Sequence, residues 1–336
     1  LPASHPNFLG MPGMHGTYEA NMVMHECDVM LNIGARFDDR VTGKVDGFSP
    51  QSKKIHIDID PSSINKNVFV DIGIIGDAYG IVKNLIEGWS EKNIDKSSDL
   101  KPWWNKIKAW RNIDCLAYEQ GDQVIKPQYA LERLREIVNG DDVYVTTDVG
   151  QHQMWAAQFL HFEEPNRWMT SGGLGTMGYG VPAAMGVQVA HPNSKVICVT
   201  SEGSLMMNIQ EMATISKYNL PVKIFNLNNK VLGMIRQWQE LFHGNNESEC
   251  DLSSGVDFIA LAKAFGFKAI DIVDPAKVDS GISQMLEVEG PVFLNITVDR
   301  NENVFPMIPA GAAHNEIVLG PNQNIQNVGA ENNVMA

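Results

Sequence analysis

Val196-Ile197-Cys198-Val199-Thr200-Ser201-Glu202-Gly203-Ser204 opens a stretch that closes with Val222-Lys223-Ile224-Phe225-Asn226-Leu227-Asn228-Asn229. Five apolar or β-branched residues end in a turn of small residues around one acid. Ile209, Met212, Ala213 and Ser216 then share one face at helical spacing. Asn219-Leu220-Pro221 stops that helix, and a second apolar run follows. The stretch reads as one right-handed βαβ unit with parallel strands. In such a unit the carboxyl ends of neighbouring strands meet at one edge, where ligands of open α/β sheets bind. Glu202 and Asn229 are therefore expected to face one crevice.

Working outward, Val143–Thr147 and Val292–Ile296 read as further strands of the same sheet. Upstream, Asp28–Ile33 and Lys54–Ile59 read as strands of another sheet, preceded by a helical pattern between His15 and Glu26. The expected fold class is α/β, with two parallel-sheet domains. One is Rossmann-like, over residues 1–93. The other is a three-layer α/β/α domain over 127–300. Between them, 94–126 reads as a linker with a helical connection carrying Trp103, Trp104 and Trp110, whose rings are read as packing on a domain face. The tail, 301–336, is rich in Pro, Gly and Asn, and its last stretch from about Pro321 reads as mobile.

The 336 residues carry a net charge of −14, with 44% hydrophobic and 20% charged residues. That balance argues against nucleic acid or an anionic membrane surface as a partner. No run of about 18 apolar residues suggests a transmembrane helix. The four cysteines are scattered, with no C-x-x-C pair, so a zinc site is not expected and a reducing cytoplasm is. Cys198 reads as a small core residue.

The Glu202 turn and Asn229 suit a divalent cation that carries a diphosphate. Mg²⁺ takes about six oxygens in a near-octahedral shell. A carboxylate, an Asn amide oxygen, a backbone carbonyl and two diphosphate oxygens nearly complete it. The backbone amides of Gly203 and Ser204 can also meet a phosphate. Val149-Gly150-Gln151-His152 follows a strand and offers more such contacts. The run Thr170–Gly180 has five glycines in eleven residues, which lets backbone approach a ligand closely.

Together these segments resemble the thiamine-diphosphate enzymes. Met206-Met207-Asn208-Ile209-Gln210-Glu211 and Leu227-Asn228-Asn229 belong to the likeness. Val231-Leu232-Gly233-Met234-Ile235-Arg236-Gln237-Trp238-Gln239-Glu240 narrows it to the acetolactate (acetohydroxyacid) synthase catalytic subunits. Gly13–Thr17 and Gly34–Gly43 are similar to the FAD-binding central domain of that family. The resemblance implies three cofactors: thiamine diphosphate, Mg²⁺ and FAD. Glu202, Asn229 and the carbonyl of Val231 would hold the metal. Val149, Gly150, Gln151, His152, Gly203 and Ser204 would hold the diphosphate, and Gly175 and Met177 the aminopyrimidine. His15, Gly16, Gly34, Arg36, Asp58 and Asp77 would line FAD. Met177, Met234, Trp238 and Arg40 would shape the reacting site.

The implied reaction joins two 2-ketoacids, pyruvate with pyruvate or 2-ketobutyrate, with loss of CO₂, in branched-chain amino-acid biosynthesis. The implied partners are those ketoacids, at least one further copy of the chain, and a regulatory small subunit. The family also carries an N-terminal pyrimidine-binding domain with a catalytic Glu, which these residues do not include. The alternative reading is a catalytically impaired fragment, or a non-catalytic binding module on the same scaffold. Where the family's turn has Gly-Asp, this chain has Ser201-Glu202. The longer acid is expected to overreach, and Ser201 is expected to be costly if its φ is positive.

Overall fold

The computed structural model describes residues 1–92 and 98–321, and the chain divides into two compact units. The expected linker residues 93–97 and the tail beyond Pro321 lie outside the described residues.

The first unit comprises Leu9–Ala117 and the segment from Phe305 onward. Helix α1 (Tyr18–Glu26) is capped by the Thr17 hydroxyl, which accepts from the Ala20 amide. Strand β1 (Val29–Ile33), helix α2 (Asp39–Thr42), strands β2 (Lys53–Asp58) and β3 (Ile72–Ile75), and helices α3 (Ala78–Glu91) and α4 (Lys101–Arg111) follow. The three strands are parallel in the order β1-β2-β3, with Ile57 opposite Ile33 on one side and Ile74 on the other.

Helix α4, read from sequence as a connection, packs on α1 through Met22, Ile107 and Trp110, and the Trp103 and Trp110 rings meet edge to face at 5.7 Å. The segment after Phe305 is also part of this unit. Ile308, Ala312 and Ile317 are buried there with Tyr18 against them, and the Ile308 amide donates to the Met14 carbonyl at 2.8 Å. Those three apolar residues are spaced too irregularly to read as an element, so the expected boundaries at 93 and 301 missed this burial.

The second unit comprises Leu1–Phe8 and Tyr118–Val304. The opening residues hold to it through the Ala3 amide on the Phe162 carbonyl and Ser4 on Glu163. Its elements are α5 (Pro127–Ile137), β4 (Val143–Thr147), α6 (Gln151–Phe159), β5 (Trp168–Thr170), α7 (Gly180–Ala190), β6 (Lys195–Thr200), α8 (Glu202–Leu205), α9 (Glu211–Lys217), β7 (Lys223–Asn228), α10 (Gly233–Phe242), α11 (Phe258–Ala264), β8 (Lys268–Ile272), α12 (Val278–Glu287) and β9 (Val292–Thr297).

All six strands are parallel, in the order β5-β4-β6-β7-β9-β8. Alternate residues of β6 serve opposite faces. Val196 and Cys198 pack with Val181 and Ala184 of α7, Met212 and Ile215 of α9 and Ala262 of α11. Ile197 and Val199 are fully buried too, toward the other face, where α5, α6 and α12 lie. The result is the expected three-layer α/β/α sandwich. Burial on both faces explains why β6 and β7 read as continuous apolar runs rather than alternating ones.

The chain runs from β4 outward to β5 and then crosses back to place β6 on the other side of β4. The strand order reverses between β4 and β6, so the carboxyl ends of those strands flank a crevice. Asp148–Gly150 and Ser201–Ser204 sit at that point.

Candidate functional site

Strand β6 ends at Thr200, and Ser201 leaves it with φ −137° and ψ 167°. That is ordinary extended backbone, so the Ser201 side chain costs nothing conformationally; the expected penalty would have required a positive φ. Glu202 then begins the short helix α8 and is 1% exposed. Its Oε1 accepts from the Val231 amide at 3.1 Å, across to the loop that leaves β7. Its Oε2 has no hydrogen-bond partner. The extra methylene thus carries the carboxylate onto the 229–231 loop. Burial pushes this carboxyl up to about 7.

That loop is built tightly. Lys230 adopts φ 61°, and the Asn228 side chain accepts from its amide at 3.1 Å. The Lys230 carbonyl accepts from the Leu252 amide and from Arg300. Asn229 is buried; its Oδ1 also accepts from the Val231 amide, at 3.2 Å, and its Nδ2 donates to Gln151 Oε1 at 3.1 Å. Val231 faces Asp251 in an antiparallel bridge whose bonds run from the Leu232 and Leu252 amides. The Val231 carbonyl takes no part in that pair. Glu202, Asn229 and Val231 are therefore within one hydrogen-bonded group.

The loop after β4 closes the opposite wall. Gly150 adopts φ 147° and ψ −165°, a conformation open to glycine alone, and this turns the chain straight into α6. Gln151 and His152 are buried in the first turn of α6. Ser204 donates to the Val149 carbonyl at 2.6 Å, tying the β4 and β6 loops together. Gly233 opens α10 beside Gln151: a Cβ there would lie 1.9 Å from Gln151 Oε1, so any side chain would displace the Gln151 amide.

A cavity of about 90 Å³ lies among these loops. Val149–His152, Met177, Ser201, Gly203, Ser204, Asn229 and Val231 line its polar side, and Trp155, Leu227, Leu232, Met234 and Ile235 its apolar side. Two buried polar atoms of lining residues, His152 Nε2 and Trp155 Nε1, have no partner, and neither has Glu202 Oε2. Desolvation holds the His152 imidazole down to about 3, so it is neutral near pH 7. Buried polar groups are normally satisfied, and two unsatisfied atoms on residues lining one cavity point to a ligand or water that completes them. Met234 and Ile235 also line an open cleft of about 620 Å³ with Trp238, Gln239, His243, Asn246 and Ser248.

The glycine-rich run is anchored rather than loose. Asp148, fully buried, accepts the Gly178 amide at 2.6 Å, and Asn208 donates to the Gly178 carbonyl at 2.8 Å. Burial raises the Asp148 carboxyl above its ordinary range. Gly175 precedes this anchor, and Met177 reaches the cavity. Asp148 and Gln237 escaped the sequence reading, because their partners stand 30 and 86 residues away. A lone acid at the end of a buried strand was the only signal for Asp148.

The other expected site belongs to the first unit. Gly34 follows β1, Asp58 ends β2, and Asp77 follows β3 and caps α3 by accepting the Gly80 amide. Three neighbouring parallel strands thus present these residues at one carboxyl edge. Arg36 is exposed nearby in sequence and pairs with Asp38 at 3.4 Å. His15 and Gly16 are inside the packing instead. His15 Nδ1 lies 3.1 Å from the Pro306 carbonyl, and a Cβ on Gly16 would meet the Met11 carbonyl at 2.3 Å. Arg40, on α2, is exposed beside Asp39.

Among the described residues, no three His, Cys, Asp or Glu side chains gather as a ready metal cage, and no helix is long and apolar enough to cross a membrane. A cation at Glu202 and Asn229 therefore depends on oxygens that a ligand brings.

Comparison with known proteins bears on which ligand. Residues 148–296 match the family model for the C-terminal TPP-binding domain of thiamine pyrophosphate enzymes, and residues 1–85 match the central domain of the same enzymes. The chain is 46% identical over 323 residues to the acetolactate synthase isozyme 3 large subunit of Escherichia coli K12, covering 95% of this chain and 56% of that one. It is 44% identical to the acetolactate synthase large subunit of Haemophilus influenzae, over 97% of this chain and 57% of that one. The acetolactate synthase large subunit of Porphyra purpurea is 42% identical, over 92% of this chain and 52% of that one. The chain spans little more than half the length of these relatives.

Proposed function

The chain belongs to the thiamine pyrophosphate enzymes, whose central and C-terminal domains it carries, and from this premise we propose that it is the metal- and cofactor-binding part of an acetolactate synthase large subunit. The activity proposed is condensation of two 2-ketoacids with loss of CO₂. The observation that carries the reading is the buried Glu202 at the strand-order reversal, bonded to the loop that holds Asn229 and lacking a partner on its second oxygen.

Glu202, Asn229 and the Val231 carbonyl would hold Mg²⁺. Val149–His152, Gly203 and Ser204 would hold the diphosphate against it, with Gly175 and Met177 along the rings of the cofactor. When bound, thiamine diphosphate supplies a nucleophilic carbon that adds to a ketoacid carbonyl and takes up the electron pair left by CO₂. The apolar wall of Trp155, Leu227, Leu232 and Met234 excludes water there. Neutral His152 avoids placing a second cation beside the metal. Met234 and Trp238 stand on α10 toward the open cleft and would select the second ketoacid. FAD would lie along Gly34, Asp58 and Asp77. The proposed partners are a further copy of the chain and a regulatory subunit.

Calorimetric titration of the chain with thiamine diphosphate, with and without Mg²⁺, tests the binding. Mg²⁺-dependent binding is expected. Acetolactate formation from pyruvate, with the N-terminal portion of a relative supplied, tests the activity. Binding without turnover would leave a binding module on this scaffold, and no binding would overturn the reading.

A further inference from the structure

Gln237 lies on α10, is fully buried, and does not itself line the cavity. Its amide is nevertheless the centre of a chain of hydrogen bonds that starts at backbone and ends at the metal loop. The Val304 amide donates to Gln237 Oε1 at 2.8 Å, and Gln237 Nε2 donates to the Val304 carbonyl at 3.3 Å. The backbone N–H and C=O of one residue, whose roles are fixed, thus set which end of the Gln237 amide is oxygen.

Gln237 Oε1 also accepts from Gln151 Nε2 at 2.9 Å, and the Glu302 carbonyl accepts from the same nitrogen at 3.1 Å. Two acceptors therefore hold the nitrogen end of Gln151. Its Oε1 is left to accept from Asn229 Nδ2 at 3.1 Å. That bond takes the donor end of Asn229, so Asn229 Oδ1 faces the Val231 amide that Glu202 Oε1 also accepts from. A flip at any one amide would set donor against donor or oxygen against oxygen at the next.

We propose that Gln237 is a positioning residue for the cation: through Gln151 it fixes the side-chain amide of Asn229 with its oxygen, not its nitrogen, toward the metal. The proposal rests on the reading of Glu202 and Asn229 as metal ligands. It explains why a helix interior spends a wholly buried glutamine where an apolar residue would pack. It also links the substrate-facing helix α10 to the metal loop without a direct contact. Outer partners of metal ligands commonly govern metal affinity in this way.

The test is a double-mutant cycle on the whole chain, read as Mg²⁺ affinity by calorimetry at saturating thiamine diphosphate. Gln237→Met keeps the side-chain length and removes the polar atoms. It is expected to weaken Mg²⁺ binding roughly tenfold, the lower end of such outer-partner effects. Asn229→Asp removes the distinction between the two ends of the side chain. In that background Gln237→Met is expected to cost nothing, because Gln151 is then free to turn its nitrogen to the carboxylate.

An equal loss in both backgrounds would overturn the relay and leave Gln237 as packing. Absence of Mg²⁺-dependent cofactor binding in the unaltered chain would instead overturn the reading of the site, and the relay with it. If circular dichroism shows that Gln237→Met does not fold, Gln237→Ala takes its place. If the Asn229→Asp chain binds no Mg²⁺, Asn229→Ser takes its place, since a hydroxyl also turns freely.

Discussion

Ser201 and Glu202 stand side by side but differ in what they ask of the fold. Ser201 is extended, so Ser201→Gly removes no strain and only frees the unfolded chain. A loss of about 0.5–1 kcal/mol in stability, with Mg²⁺-dependent cofactor affinity unchanged, is expected from urea denaturation and calorimetry. Glu202 already reaches the Val231 amide. Glu202→Gln keeps that acceptor and removes the charge, so Mg²⁺-dependent binding should be lost while folding is kept. Retained affinity would show that the metal sits elsewhere.

His152 makes a different kind of prediction. Its folded pKa, about 3, lies below the ordinary 6.5 because burial disfavours the imidazolium. The unfolded chain therefore takes up a proton below pH 6.5 that the folded chain refuses. Stability from this group is complete above 6.5 and declines as pH falls from there toward 3. His161 and His314 shift in the same direction. Thermal melts should fall between pH 6.5 and 4.5, less steeply in His152→Gln; identical slopes would contradict the assignment.

At the scale of elements, α10 is held by more than its apolar face. Arg236 is 2% exposed in its side chain and pairs with Glu240 one turn on, at 2.5 Å. The same Glu240 oxygen accepts from Asn303, whose own Oδ1 accepts from Arg236. Removing Glu240 leaves a buried guanidinium with only neutral acceptors. Glu240→Ala is expected to destabilise by about 1.5–3 kcal/mol, the range for charged hydrogen bonds, in a urea titration. Arg236→Met, which removes the charge with the partner left near solvent, should cost less. The reverse order would mean that the pair does not hold the helix.

At the scale of the molecule, the two units carry separate cores and separate candidate sites. Scanning calorimetry is expected to resolve two transitions. Mg²⁺ with thiamine diphosphate at a hundredfold its Kd should add about 2.7 kcal/mol to the unit with Glu202. FAD should move the other. A single transition displaced by either ligand would show that the units unfold together. The partition also sets what was legible beforehand. The βαβ reading of residues 196–229 stands because both strands are buried on both faces, which writes continuous apolar runs into the sequence. The boundaries at 93 and 301 did not stand, because Trp110, Ile308 and Ile317 find their partners in α1 and its surroundings, far away along the chain.

The sequence by itself determined the parallel α/β class, the βαβ unit over residues 196–229 with two further strands of its sheet, and the family likeness. Apolar periodicity and turn residues act within a few positions, and so can be read locally. Only the tertiary structure decided that the opening residues join the second unit and the segment after Phe305 the first. It alone showed that Ser201 is unstrained, that Glu202 rests on the Val231 amide, and that Gln237, Gln151 and Asn229 share one chain of hydrogen bonds. Those outcomes depend on hydrogen bonds with direction, made between atoms dozens of residues apart. No local pattern records which end of an amide faces which neighbour.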